Sequence, residues 1–121
     1  MGYTFSKAEK LKSRKVIEQL FLEGKPLKKF PLKAVYLPVD TQDKNQAAFS
    51  VPKRRFKLAV TRNRIKRQMR EAYRLNKPMT QNHNGTAFVV LFIYIHSKKV
   101  DYELIEKSMK HLLKQLPYEN V

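Results

Sequence analysis

The sequence predicts an α+β fold in which three helices accompany a small sheet. Near both ends and in the middle of the chain, apolar residues recur every three or four positions, as they do in amphipathic helices. Between these stretches lie short segments of alternating or β-branched apolar residues, which favour strands. The length of 121 residues is close to the usual size of one domain. We therefore expect residues 1–121 to form a single domain with one modest core.

The first helix is predicted from Ser13 to Leu22. Ser13 is a favourable N-cap residue, and Gly24 is well placed to end the helix. One face of this segment is apolar and carries Val16, Ile17, Leu20 and Phe21. That face is expected to pack against the sheet.

Beyond Pro26 and Pro31 the chain is predicted to form short strands, the first of which begins at Leu32. Residues from Leu32 to Leu37 form one strand, and a second runs from Ala47 to Val51 after a polar loop. A third short strand is predicted around Phe56–Val60. The pattern thus gives two or three strands before the next helix.

A strongly cationic helix follows these strands. Between Lys53 and Arg74 the chain has ten Lys or Arg residues and one acid, Glu71. Helical spacing places four residues on one face, which is expected to be buried: Ile65, Met69, Ala72 and Tyr73. The adjacent arc carries Arg62, Asn63, Lys66, Arg67, Arg70 and Arg74. Like charges at this spacing repel each other, so such a surface is expected to bind a polyanion.

The last two elements are a strand and a helix. The apolar, β-branched run Thr86–Ile95 is typical of a central strand. Asp101 can cap a final helix that ends before Pro117. The buried face of this helix is predicted to contain Ile105, Met109, Leu112, Leu113 and Leu116.

The net charge of the whole chain agrees with a nucleic-acid partner. Twenty-six Lys and Arg residues oppose ten acids, giving +16 and a pI near 10.2. Charge this far from neutrality indicates nucleic acid or an anionic membrane. No apolar run reaches the roughly 18 residues of a spanning helix, and Met1–Lys10 lacks the apolar stretch of a secretory signal. We therefore expect no membrane partner and a cytoplasmic location, with which the absence of cysteine agrees.

Aromatic residues on the predicted strands are candidates for contacts to bases. Helices on one face of a small sheet leave the other face open to an extended ligand. For each ring alone, packing in the core is the more favoured role, but one or two rings beside a basic groove would suffice to bind a single strand. The candidates are Tyr36, Phe49, Phe88, Phe92 and Tyr94 on strands, and Phe21 on the first helix.

The sequence shows no pattern typical of a protein nuclease. Acid–base cleavage of RNA needs paired histidines or a histidine with a carboxylate, and metal-dependent nucleases need clustered carboxylates. The histidines, His83, His96 and His111, are far apart in the sequence. Asp40 and Asp43 share a loop without a recognisable metal-binding pattern. We expect neither a catalytic residue nor a metal site in the protein.

Several of these segments together resemble the protein subunit of bacterial ribonuclease P. The match comprises Ser50-Val51-Pro52-Lys53-Arg54, Ala59-Val60-Thr61-Arg62-Asn63-Arg64-Ile65-Lys66-Arg67 and Arg70-Glu71-Ala72. Lys10-Leu11 and Leu20-Phe21 with Gly24 extend it over nearly the whole chain. The resemblance implies the order α-β-β-β-α-β-α with a mostly antiparallel sheet.

The resemblance also implies an accessory role for the protein. In that family the RNA subunit cleaves the 5′ leader from precursor tRNA with Mg²⁺ that the RNA and substrate hold, and no protein partner is required. The residues implied to bind RNA are Lys53, Arg54, Arg62, Asn63, Arg64, Lys66, Arg67, Arg70 and Arg74. The cleft implied for the single-stranded leader contains Ile17, Phe21, Tyr36 and Ser50.

The chain departs from the family pattern at three places. Ile17 replaces a common aromatic residue and offers less surface for stacking. Lys10 replaces a usual arginine and lacks its bidentate fork. The segment Arg54–Leu58 is longer and more basic than the common form.

Two other functions would share the basic charge. A ribosomal or assembly protein would bind RNA without a cleft for a mobile single strand, and a DNA-binding module would place its basic helix in the major groove of a duplex. Competition between folded ribonuclease P RNA, ribosomal RNA fragments and duplex DNA at a stated salt concentration discriminates among the three.

Overall fold

Three helices and a four-stranded sheet make up the part of the chain that the computed structural model describes, which is Phe5 and residues 7–39, 45–79 and 87–116. The helices are α1 (Arg14–Glu23), α2 (Ala59–Asn76) and α3 (Tyr102–Lys114). The strands are β1 (Lys25–Lys29), β2 (Leu32–Val39), β3 (Gln46–Ser50) and β4 (Ala87–Tyr94). The predicted order α-β-β-β-α-β-α is confirmed.

The sheet is mixed, with strand order β1-β2-β4-β3. The pairings of β1 with β2 and of β2 with β4 are antiparallel, whereas β3 and β4 run parallel. The parallel pair arises because β3 and β4 are joined by a long crossover through α2. The apolar strand predicted to be central, β4, does have a neighbour on each side.

The third predicted strand, Phe56–Val60, is wrong. Phe56–Leu58 is a loop, and Ala59 and Val60 form the first turn of α2. The strand that completes the sheet is instead β1, which the sequence pattern did not reveal. It is an edge strand that is mostly exposed and carries three lysines and Pro26, a composition that suits edges and hides the alternation of a buried strand.

Both ends of α1 agree with the prediction. The Ser13 side chain accepts a hydrogen bond from the backbone N–H of Val16 at 3.3 Å, so Ser13 is the N-cap. Gly24 follows the last turn with an ordinary φ of −65°. A Cβ atom there would collide with the Val35 side chain and the Leu20 carbonyl oxygen. Glycine is therefore required for close packing of α1 on β2.

Each face of the sheet packs against different helices. Strand residues with even numbers on β2 and β4, including Tyr36 and Phe92, join α2 and α3 in the larger core. Odd-numbered neighbours such as Val35 and Leu91 pack with Leu20 of α1 in a smaller core.

Asp101 is the N-cap of α3, without a side-chain capping bond. The predicted buried residues of α3 are confirmed: Ile105, Met109, Leu112, Leu113 and Leu116.

Candidate nucleic-acid interface

The exposed side of α2 presents cations that pair with no acid in the described part of the chain. Ile65 and Met69 hold the opposite side of the helix in the larger core, as predicted. Among the residues that the structure describes, no acid forms an ion pair with the cations Arg64, Lys66, Arg67 and Arg70. All of these except the half-buried Lys66 are exposed, as is the neighbouring Asn63. Their charges can therefore meet the phosphates of a polyanion.

The Arg62 side chain forms hydrogen bonds with the backbone of the loop that precedes α2. Its Nη1 donates hydrogen bonds to the carbonyl oxygens of Phe56 and Lys57, each at 2.8 Å. The reason lies in its position, because Arg62 precedes Ile65 by one turn and so points toward the buried side of α2. The guanidinium holds the loop that enters the helix. A contact of Arg62 with RNA stays a prediction.

Arg74 differs from the other cations because Glu71 lies one turn before it. The two side chains form an ion pair on the exposed surface, in which both Nε and Nη2 of Arg74 donate to the carboxylate. These hydrogen bonds lower the pKa of the Glu71 carboxyl and raise the pKa of the Arg74 guanidinium. The positive charge at this end of α2 is thus partly offset.

A pocket of about 290 Å³ lies along the flank of α2 that carries Lys66 and Arg70. The segment before α1 brings two more lysines to it, Lys10 and Lys12. Leu11 lies between them and is buried in the smaller core. Its backbone N–H donates a hydrogen bond to the Ala47 carbonyl oxygen at 2.9 Å. The other lining residues are Phe5, Leu11, Ala47, Ala48 and Phe49. Lys12 was missed as a site residue, although Lys10-Leu11-Lys12 shows the alternation of an extended segment with one buried side chain.

Three of the predicted leader contacts lie on the side of the sheet that α1 covers. Phe21 is 64% exposed at the surface of α1, and Ile17 is half-buried against the smaller core. Ser50 lies on the same face of the sheet, because it is two residues from Ala48, which packs in that core. Phe21 therefore offers an accessible ring on α1, and its role in a leader cleft stays a prediction.

Tyr36 does not lie on this side of the sheet, which corrects the prediction that it contacts the leader. It lies between Val35 and Leu37, which face α1, so the alternation of the strand turns its ring to the opposite face. There it is 1% exposed within the larger core. The other strand rings, Phe49, Phe88, Phe92 and Tyr94, face the same core.

The remaining predicted residues are dispersed. Lys53 and Arg54 are exposed in the turn after β3. The His96 ring packs edge-on against Phe30 with centroids 4.9 Å apart, and His111 contacts the Gln115 amide at 2.9 Å. His83, Asp40 and Asp43 lie outside the described residues.

Two absences hold for the described part of the chain only. No three acidic or histidine side chains there come together as metal ligands. No helix there is both long enough and apolar enough to cross a bilayer.

Comparison with known proteins identifies the family. The ribonuclease P family model matches residues 5–117. The chain is 34% identical over 119 residues to the ribonuclease P protein component of Porphyromonas gingivalis, covering 92% of this chain and 85% of that protein. It is 35% identical over 118 residues to the ribonuclease P protein component of Petrotoga mobilis, covering 95% of this chain and 97% of that protein.

The fold gives the same result. The solved structure of the RNase P protein from Thermotoga maritima superposes with a TM-score of 0.75 at 25% identity, covering 89% of this chain and 97% of that one. The family match spans the cationic helix, the cleft and the segment with Lys10 and Lys12. The chain belongs to the family of ribonuclease P protein components, which act in the processing of tRNA 5′ ends.

Proposed function

We propose that the protein assembles with the RNA subunit of ribonuclease P in the cytoplasm and helps that particle bind precursor tRNA for removal of the 5′ leader. The observation that carries this proposal is the row of cations on α2 that lack acidic partners in the described chain. Each Lys or Arg near a phosphate releases condensed counterions, and arginine can grip two phosphate oxygens at once. A rigid helix holds these side chains at fixed spacing.

The leader binds in the cleft between α1 and the sheet. Phe21 supplies a ring on which a base can stack, and the part-buried Ile17 and Ser50 lie on the same side of the sheet. The neighbouring pocket, with Lys10, Lys12, Lys66 and Arg70, attracts the backbone of the same strand. A basic groove with a single stacking ring tolerates many sequences, because every base has a π-face.

Bond cleavage belongs to the RNA subunit, with Mg²⁺ held by RNA and substrate and without a further protein partner. The two described histidines support this assignment, since His96 packs against Phe30 and His111 contacts Gln115, on separate elements. Side-chain proton transfer usually contributes 10²–10⁴-fold to a rate. We therefore expect His96→Ala and His111→Ala to leave single-turnover cleavage by the reconstituted particle within a few-fold of the parent. A loss of about a hundredfold in the rate of single-turnover cleavage, with RNA binding intact, would assign the cleavage step to the protein.

The salt dependence of RNA binding tests the main proposal. Replacing Arg64 and Arg67 by Gln should weaken binding to ribonuclease P RNA and flatten the log–log salt slope by roughly 0.7–0.9 per lost contact. The matched control replaces Lys107 and Lys114, two exposed lysines of α3, by Gln. The control has the same net charge, so an equal effect of both pairs would contradict a role for α2. Equal affinity of the parent for duplex DNA would favour the DNA-binding alternative.

A further inference from the structure

Two cationic loops lie beside the N-terminal half of α2. The first, Lys53–Lys57, follows β3, and the second, Ser97–Lys99, follows β4. Lys98 and Lys99 of the second loop do not belong to the cationic segment between Lys53 and Arg74. Both are exposed, and within the described chain no acid forms an ion pair with either. The two loops are far apart in sequence, so only the fold brings their charges together.

Hydrogen bonds hold the two loops in place. Arg55 Nη1 donates to the Ser97 hydroxyl at 3.3 Å, which joins the loops directly. Tyr94 Oη donates to the Lys98 carbonyl oxygen at 2.5 Å, and the Tyr94 ring lies 5.8 Å from that of Phe56. Together with the bonds from Arg62 to the first loop, these contacts fix the backbone that presents the lysines. A surface fixed before binding loses little conformational entropy when a ligand binds.

A pocket of about 190 Å³ separates the second loop from α2. Its cations are Arg64 and Lys99, which lie on different elements and can approach one phosphate from two sides. Its acid is Asp101, which forms no ion pair with either cation. Asp101 lowers the local potential but leaves both cations available. The remaining lining residues, Ile65, Gln68 and Val100, include no aromatic ring.

We propose that Lys98 and Lys99, together with Arg64, form a second phosphate-binding surface that takes the backbone of a folded segment of the RNA subunit. This inference rests on the proposed function. Arg64 and Lys66 are two positions apart and point to different flanks of α2, and the pocket that adjoins the leader cleft lies on the Lys66 flank. No aromatic side chain lines the pocket between this loop and α2, so the pocket suits phosphates of folded RNA better than bases of a single strand.

The double variant Lys98→Ala/Lys99→Ala tests this assignment by equilibrium binding to ribonuclease P RNA over a range of salt concentrations. We expect affinity to fall on the order of tenfold, with a slope flatter by roughly 0.7–0.9 per lost contact. Lys107→Ala/Lys114→Ala removes the same charge from α3 and should change neither value strongly. Thermal melts should match the parent for both, since all four side chains are exposed.

A change of opposite sign sharpens the test. Asp101→Asn removes the acid from the pocket while keeping a residue that caps helices equally well. We expect RNA affinity to rise a few-fold. Behaviour of the lysine variant like its α3 control would overturn the inference, and so would unchanged affinity for Asp101→Asn.

Precursor tRNA distinguishes the two RNA partners. With the RNA subunit saturating, the loop variant should bind precursor tRNA as the parent particle does. A selective loss of precursor binding would assign these lysines to the substrate and overturn the inference. Failure of the parent protein to bind ribonuclease P RNA at all would instead refute the proposed function, and the loop assignment with it.

Discussion

The two faces of the sheet differ in both chemistry and exposure. The face toward α2 and α3 carries the rings of Tyr36, Phe88, Phe92 and Tyr94, all buried. The face toward α1 carries aliphatic side chains such as Val35 and Leu91, and Ser50 at its edge is only part-buried. Aromatic residues on strands therefore build the closed core here. The ring that we propose for stacking on a leader base comes instead from a helix, as the exposed Phe21.

This division separates folding from binding. Fully buried rings contribute to stability through area removed from water and through contacts with their neighbours. An exposed ring such as Phe21 adds little to folding and remains free to stack. Substitutions on the closed face should lower the free energy of unfolding, whereas those on open surfaces should lower affinity at constant stability.

Met69→Asp should produce the largest effect. The Met69 side chain is fully buried between α2 and the sheet, so aspartate would place an unpaired charge in the larger core. We expect a loss of at least about 4 kcal/mol, enough to unfold much of the protein. Urea unfolding of the variant measures this loss. Arg67→Asp, on the exposed side of the same helix, should retain the fold while losing RNA affinity.

Tyr36→Ala and Phe21→Ala compare two rings on opposite faces. Loss of the buried Tyr36 ring should cost about 3–5 kcal/mol of stability. Loss of the exposed Phe21 ring should leave the melt nearly unchanged and weaken precursor tRNA binding by roughly 1–3 kcal/mol, without affecting mature tRNA. Equal destabilisation by both changes would place Phe21 in the core and remove the ring from the cleft.

Local patterns in the sequence predicted most of the elements. The stripe from Ile65 to Tyr73 defined the buried side of α2, and Ser13 and Gly24 marked the ends of α1, because these signals act over one or two turns. The prediction was wrong at Phe56–Val60, because the apolar residues of this short segment were as consistent with a strand as with the loop and helix start that it forms. Their actual structure depends on bonds from Arg62, which no pattern of hydrophobicity reveals.

The sites were harder to predict because they depend on contacts between distant segments. Tyr36 was placed in the cleft since strand alternation alone does not say which face α1 covers. Lys12 reaches the pocket of Lys66 and Arg70 only through pairing of its segment with β3. Lys99 reaches Arg64 through the turn after β4. Each juxtaposition is set by packing of whole elements.

Alkaline pH should weaken the closed face by a smaller amount. Burial raises the pKa of Tyr73 above its ordinary value of 10.0, and the nearby Glu9 acts in the same direction. A group whose pKa is raised on folding contributes its full stability below the unfolded pKa and loses it as pH rises above that value. The free energy of unfolding should thus fall above about pH 10.

Comparison with Tyr73→Phe isolates this contribution. The phenylalanine variant keeps the buried ring and cannot ionise, so its unfolding free energy should decline less steeply than that of the parent above that pH. Urea titrations across the alkaline range give both curves. Identical slopes would show that Tyr73 does not contribute to alkaline sensitivity.

Glu71→Gln should give the smallest effect and concerns the exposed side of α2. The Glu71–Arg74 pair is at the surface, where ion pairs add little to stability, so the unfolding curve should hardly move. RNA affinity should rise instead, because Arg74 is released from its carboxylate and can meet a phosphate. The salt slope should steepen by up to roughly 0.9. Glu23→Gln, an exposed acid at the end of α1, makes the same change in net charge and should leave the slope unchanged. If both variants tighten binding equally, overall charge rather than the position of Arg74 on α2 governs the effect.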